Sequence, residues 1–290
     1  MKYIDDFLEY LYVIKKHSVH TINNYKIDLV DFLEFNKNNI KNIDKDTVNR
    51  YMQYLYDKNI SRASISRKLS SLRSFYNYLY KNDIVDKNYW TSIKNPKKES
   101  SLPKFVKDID IDKMFNIPDI RRPIGQRNLL IIRMLYATGV RVSELVNIKV
   151  SDIDINDRTI RIFGKGSKER IVIFGNNTKE ILMLYLNNGR YKLSNRDTDY
   201  LFLNKDGERL SDRYVRKIID DIIIKASITM HISPHMLRHT FATDMLNNGA
   251  DLVSVKDLLG HESLNTTSIY THVSDDKIRE IYNMAHPRAK

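Results

Sequence analysis

In "PHMLRHTFAT", residues 234–243, two histidines and an arginine occupy about one helical turn: His235, Arg238 and His239. Three kinds of chemistry suit such a set: metal ligation, packing at a core margin, and anion binding. His235 and His239, at i and i+4, can share a zinc ion on one helix face. The zincin pattern, however, needs a glutamate straight after the first histidine, and Met236 stands there. No cluster of acids nearby completes a metal site. A single His or Arg beside an apolar stripe, here Leu237, Phe241 and Met245, commonly packs and satisfies itself. Ser233 followed by Pro234 is a helix start, N-cap then first helical position. Two cationic donors, His235 and Arg238, close to a helix N-terminus favour an oxyanion over either alternative.

Two further stretches carry chemistry. "GKGSK", 164–168, invites a nucleotide-loop reading, but the glycine, lysine and Ser/Thr order of that loop is absent and strands flank it on both sides. It reads better as a glycine-flanked hairpin tip that presents Lys165, a mobile proton donor. "LLGHESLNTTSIYTHV", 258–273, gives Gly260 as a helix stop, His261 just beyond it, and Ser263 as the cap of a short helix displaying Tyr270. Among 18 tyrosines, Tyr270 is singled out only by its company.

The elements that position these groups follow from hydrophobic period. Residues 1–93 read as a helical domain. Its clearest helix, "SRASISRKLSSLRSFYNYLY", buries Ile65, Leu69, Leu72, Tyr76 and Leu79 and turns Ser64, Arg67, Lys68 and Ser71 the other way. No acid lies between Asp57 and Asp83, a span holding six bases, so that Ser/Arg/Lys face is a candidate contact for a phosphate backbone; a solvated face is the alternative. "KNPKKESSLPK", 94–104, is polar, lysine-rich and bracketed by prolines, as a linker is. The second domain, 105–290, begins with helices, and Gly139 ends "RNLLIIRMLYATGV". The period then turns to two, with Ile153/Ile155, Ile160/Ile162 and Ile171/Ile173 at alternate positions: a three-stranded antiparallel sheet whose last turn is "GKGSKE". From about 178 onward helices return. The fold class is mainly α with a small antiparallel sheet.

Composition limits the classes. The 290 residues suffice for two domains, and the 42% hydrophobic and 29% charged residues are those of a folded chain. The chain has no cysteine, so disulfides, zinc-thiolate sites and thiol nucleophiles are excluded. The acidic start "MKYIDDFLEY" is unlike a signal peptide, and no apolar run spans a bilayer, so a soluble cytoplasmic protein is expected. Lys+Arg 48 against Asp+Glu 36 gives +12. Split near residue 95, the first part carries 16 bases and 11 acids (+5), the rest 32 and 25 (+7). Both parts are basic, as expected if both touch one polyanion.

The order "ATGVRVSEL", "GKGSKER", "HMLRHTFAT", "LLGHESLNTTSIYTHV" resembles the catalytic domain of tyrosine recombinases over about the last 185 residues. The N-terminal part looks like that family's SAM-like core-binding domain, and the two-domain length and "HPRA" ending look like its Xer branch. The resemblance implies six catalytic side chains: Arg141, Lys165, His235, Arg238, His261 and the nucleophile Tyr270. It implies Glu144 as a steadying acid and His239 as a structural hydrogen-bonder. The activity implied is site-specific cleavage and rejoining of DNA through a 3′-phosphotyrosine, in the resolution of chromosome or plasmid dimers. A mobile-element integrase and a non-cleaving DNA-binding protein are the alternatives. Implied partners are a double-stranded recombination site, a tetramer of this chain alone or with a paralogue that passes a C-terminal helix around a ring, and a septal DNA translocase. No cofactor is implied, because the broken bond is stored on the tyrosine and neither ATP nor metal is needed.

Overall fold

The computed structural model describes residues 1–96, 105–164, 169–194, 198–260 and 275–289. The chain divides into two compact units, Met1–Leu102 and Pro103–Lys290. The linker stretch lies mostly outside the described residues.

The first unit is built on four helices, α1 (Lys2–Val13), α2 (Val19–Phe35), α3 (Lys45–Asp57) and α4 (Arg62–Lys81), with a short 3-10 turn at Tyr89–Ser92. Three of the helices start on side-chain caps: Ser18 accepts from the Thr21 amide, Asp44 from Thr47 and Ser61 from Ser64. Their apolar faces meet around an aromatic centre. Phe32 stands edge-on to Tyr51 and Trp90, with ring centroids 5.0 and 5.1 Å away.

Within this core lies a carboxylate. Asp28 of α2 is wholly buried, and α4 answers it. Arg67 reaches it at 2.5 Å and the Ser71 hydroxyl donates to it at 2.8 Å. Lys68 lies 3.6 Å from Asp28 and 2.8 Å from Asp31.

The second unit wraps around α6 (Pro123–Thr138), which α5 (Asp108–Asn116) precedes and the four-residue α7 (Val142–Leu145) follows. From Leu129 to Leu135 every residue of α6 except Arg133 is buried, the pattern of a central helix rather than an amphipathic one. The antiparallel sheet comes next, in the order β1 (Ile153–Asp154), β2 (Thr159–Phe163), β3 (Glu169–Ile173). Then come α8 (Asn176–Leu184), a π-helical turn leading into α9 (Tyr191–Leu193), and α10 (Asp212–Lys225). Last are α11 (Pro234–Asn247), α12 (Leu252–Leu259) and α13 (Asp275–Ala285).

Two sequence expectations are corrected. In β3 the pairing is Ile160 with Val172 and Arg161 with Ile171. Val172 therefore shares the core face with Ile160 and Ile162, while Ile171 is exposed. The return to helices after 178 is interrupted by extended chain, which forms isolated bridges of Lys149 with Tyr200 and of Leu203 with Arg209.

The C-terminal segment folds onto its own unit. Ile281, Tyr282, Ala285 and Ala289 join Phe241, Met245, Val255, Leu258 and Leu259 in a satellite core beside Ile173. The Asn248 side-chain amide donates to the Ala285 carbonyl at 2.9 Å, and Arg288 pairs with Asp112 at 2.9 Å. A Cβ on Gly175 would stand 2.3 Å from the Arg288 carbonyl oxygen, so only glycine leaves room for the tail there. Among the described residues no helix is long and apolar enough to cross a membrane.

Candidate active site

The site grows from the corner between α6 and α7. Gly139 ends α6 in the left-handed region, at φ +60. A Cβ there would also lie 2.6 Å from the Phe241 ring and 2.8 Å from a Leu259 methyl, so glycine serves both the turn and the packing. Two residues later Arg141 caps α7. Glu144 turns back on it, accepting the Arg141 backbone N–H at 2.8 Å and the Arg141 Nη1 at 2.8 Å. The short "GVRVSEL" stretch thus fixes both the backbone and the side chain of an arginine that remains 39% exposed.

A second arginine arrives from α11. Ser233 caps that helix by accepting from the Met236 amide, and Pro234 takes its first position. One turn on, Arg238 is only 7% exposed. Its Nη1 donates to the Gly139 carbonyl and its Nη2 to the Leu259 carbonyl, each at 2.6 Å. These bonds tie the C-terminal ends of α6 and α12 together, where carbonyls lack helical partners. They use two of the five guanidinium N–H groups. Burial, and then repulsion from Arg141, push Arg238 down to about 10, so it stays charged at neutral pH.

The third arginine, Arg170 of β3, was not assigned a role from sequence. It grips Glu144 with a two-toothed fork, Nη1 to Oε1 at 3.0 Å and Nη2 to Oε2 at 2.7 Å. Its Nε donates to the Leu258 carbonyl at 3.1 Å. Burial pushes the Glu144 carboxyl up, but the hydrogen bonds and charges of Arg170 and Arg141 outweigh it and hold the group below the usual carboxylate range. One carboxylate thus stands among three guanidiniums, an excess of positive charge suited to a phosphate.

His235 and His239 are exposed on α11. Among the described residues no group of three His, Cys, Asp or Glu side chains is placed to hold a metal. Lys165, His261 and Tyr270, with the Ser263 cap, lie outside the described residues. Their flanks are described. Gly164 and Glu169 bracket the hairpin tip, and Gly260 ends α12 in the left-handed region, at φ +64, immediately before His261.

The candidate backbone-contact face on α4 needs correction. Lys68 and Ser71 are buried and spent on Asp28 and Asp31, because an interior carboxylate attracts the nearest donors. Arg67 is 40% exposed but also bound to Asp28. Ser64 is partly exposed, hydrogen-bonded to the Ser61 cap.

Residues 104–277 match the phage integrase family model, and 4–83 match that of the phage integrase N-terminal SAM-like domain. The chain belongs to the phage integrase family. Within that family it is a tyrosine recombinase of the Xer branch, a site-specific recombination enzyme. It is 46% identical to tyrosine recombinase XerC of Oceanobacillus iheyensis over 99% of this chain and 96% of that relative. It is 40% identical to XerC of Bacillus subtilis over 98% of this chain and 95% of that relative. Among solved structures, XerH bound to a palindromic difH substrate in a post-cleavage complex is similar at TM-score 0.71 and 28% identity, over 93% of this chain and 81% of that one. Arg141, Glu144 and Arg238 are brought together at the corner between α6 and α7.

Proposed function

We propose that this recombinase cleaves and rejoins DNA through Tyr270, on a double-stranded recombination site held by a tetramer. The observation that carries the reading is the convergence of Arg141 and Arg238. Their side chains come from elements about a hundred residues apart, meet at the Gly139 corner, and border the end of α12 that leads to His261 and Tyr270. Isolated arginines on a basic protein have no reason to share one carboxylate's neighbourhood and two helix ends.

The chemistry follows from the groups. A phenol with a pKa of ~10 is a weak nucleophile at neutral pH and has to lose its proton to attack. His235, exposed at the first turn of α11, is the general base for that proton and its carrier on religation. Attack crowds negative charge onto the non-bridging oxygens of the phosphodiester, where Arg141, Arg238 and His261 donate. Lys165, from the β2–β3 hairpin tip, protonates the departing 5′ oxygen. One phosphorus–oxygen bond breaks and one forms to Tyr270, so the bond energy is kept for the reverse step. His239 lies one turn further along the same helix, exposed, and takes no part in these steps. The biological task is resolution of chromosome or plasmid dimers, in a ring of four that exchange α13, with or without a paralogue and with a septal translocase as activator. The helical unit, residues 1–93, is the core-binding domain and 105–290 the catalytic domain.

The test uses a duplex selected from a randomised pool by the protein's own binding, then nicked so that the cleaved end diffuses away. The wild-type chain is expected to form a covalent adduct that survives EDTA and denaturant. Tyr270→Phe is expected to bind the duplex with unchanged affinity and form none. Adduct formation by Tyr270→Phe, or its loss in EDTA, would overturn the reading.

A further inference from the structure

Resting on that function, we propose that Arg170 is a positioning residue for strand cleavage, one that ties the phosphate-binding Arg141 to the end of α12 from which the tyrosine-bearing segment departs. Two independent contacts support it. On one side Arg170 shares Glu144 with Arg141: Oε1 accepts from Arg141 Nη1 and Arg170 Nη1, Oε2 from the Arg141 backbone N–H and Arg170 Nη2. The carboxylate is 7% exposed, so its charge depends on these partners. On the other side Arg170 reaches α12 through the Leu258 carbonyl. The Gly260 backbone rests on the same side chain: a Cβ at Gly260 would lie 3.0 Å from Arg170 Cδ, 3.2 Å from Nη1 and 3.3 Å from Cζ. Arg238 holds the next carbonyl, Leu259. Two arginines therefore hold the last carbonyls of α12, just before Gly260, and one of them also holds Arg141 indirectly.

The fork is what the role requires. A planar guanidinium engages both carboxylate oxygens and keeps Nε for a carbonyl, whereas an ammonium at the same place offers a point charge. At 13% exposure the Arg170 side chain has little room to contact a substrate phosphate itself. Its influence on the reaction runs through Glu144 and α12.

Among the described residues, the charged groups facing Glu144 are Arg141 on its own turn, Arg170 from β3 and, at longer range, Arg238 from α11. Removing Arg170 leaves burial to act on the carboxyl with less opposition. Glu144 then gains a proton as pH falls and releases Arg141. A merely structural arginine would give no such pH signature.

Duplex affinity and the single-turnover rate of adduct formation on the nicked duplex are measured for wild type, Arg170→Gln and Arg170→Lys between pH 5.5 and 8.5. The variant-to-wild-type rate ratio removes groups common to both, His235 included. Arg170→Gln is expected to bind within about threefold of wild type, to cleave about 30-fold more slowly at pH 8, and to fall further behind as pH drops. Arg170→Lys is expected in between, with a shallower fall. A ratio near one throughout, or a pH-independent loss matched by lost binding, overturns the proposal. Should Arg170→Gln fail to unfold cooperatively, Arg170→Lys carries the test, and wild-type behaviour in it is equally fatal. A wild-type chain that forms no adduct refutes the functional reading, and this proposal with it; an active wild type beside an unaffected Arg170→Gln refutes this proposal alone.

Discussion

Arg238 and Arg141 present the same functional group in opposite settings, and the difference is measurable. Arg141 is held from one side by Glu144 and is open on the other. Arg238 is buried and satisfies the carbonyls of Gly139 and Leu259, so it is part of the framework as well as of the site. Alanine at either position is expected to slow adduct formation by about 10²–10³, the scale of losing one preorganised donor to a developing oxyanion. Arg238→Ala should also lower stability, by about 1–3 kcal/mol, since two buried carbonyls lose their partner; Arg141→Ala should lower it less, because the Arg170 fork still holds Glu144. Thermal unfolding followed beside single-turnover cleavage separates the two effects. Equal melting temperatures for the two variants would mean that the carbonyl contacts contribute nothing to the fold.

Among the elements, α13 carries a buried base in the segment that follows it. His286 Nδ1 accepts the Arg288 backbone N–H at 3.1 Å, so in the neutral ring the proton sits on Nε2, facing the Tyr136 carbonyl at 3.4 Å. Its ring lies flat against Tyr282, with centroids 4.9 Å apart. Burial pushes it down to about 4, and Arg288 adds to the effect. The unfolded histidine, with a pKa near ~6.5, takes up its proton first as pH falls, so folding of this segment is weakened between about pH 6.5 and 4, by up to about 3 kcal/mol. Amide exchange of residues 277–289 is expected to accelerate over that window in wild type and to lose its pH response in His286→Phe. Unchanged exchange down to pH 4.5 would contradict the burial argument.

Elements of this kind were legible in the sequence to different depths. Ser233 as a cap, Gly139 and Gly260 as stops, and the Ile65–Leu79 stripe are local signals, and local physics decides them. Arg141, Glu144 and Arg238 are singled out by the order of their motifs, and the structure places them at one corner. Asp28 was not legible, because a carboxylate in α2 reads as solvated until Ser71, 43 residues away, is seen against it. Arg170 was hidden for the same reason, its partners lying 26 and 88 residues away. The facing of β3 depended on a pairing register that alternation alone left ambiguous by one residue.

At the scale of the whole molecule, charge is spread evenly over both units, +6 each (18 bases and 12 acids in residues 1–102, 30 and 24 in 103–290). A protein that grips a duplex with both should release many counterions. Its affinity for the selected duplex is expected to fall by about 10³ or more between 50 and 200 mM salt. Fluorescence anisotropy across that range checks it, and a flat response would leave the excess lysine and arginine without a role in binding. The docked C-terminal segment has a different consequence. Every contact that α13 and the tail after it make at home, from the Gly175 notch to Asp112, is present in identical form on every other copy. In the proposed ring, handing the helix to a neighbour and receiving one in return would be a like-for-like replacement with an energy change close to zero. Proximity alone would then decide the outcome: dilute copies would keep their own helices, and copies gathered on one ligand would trade them.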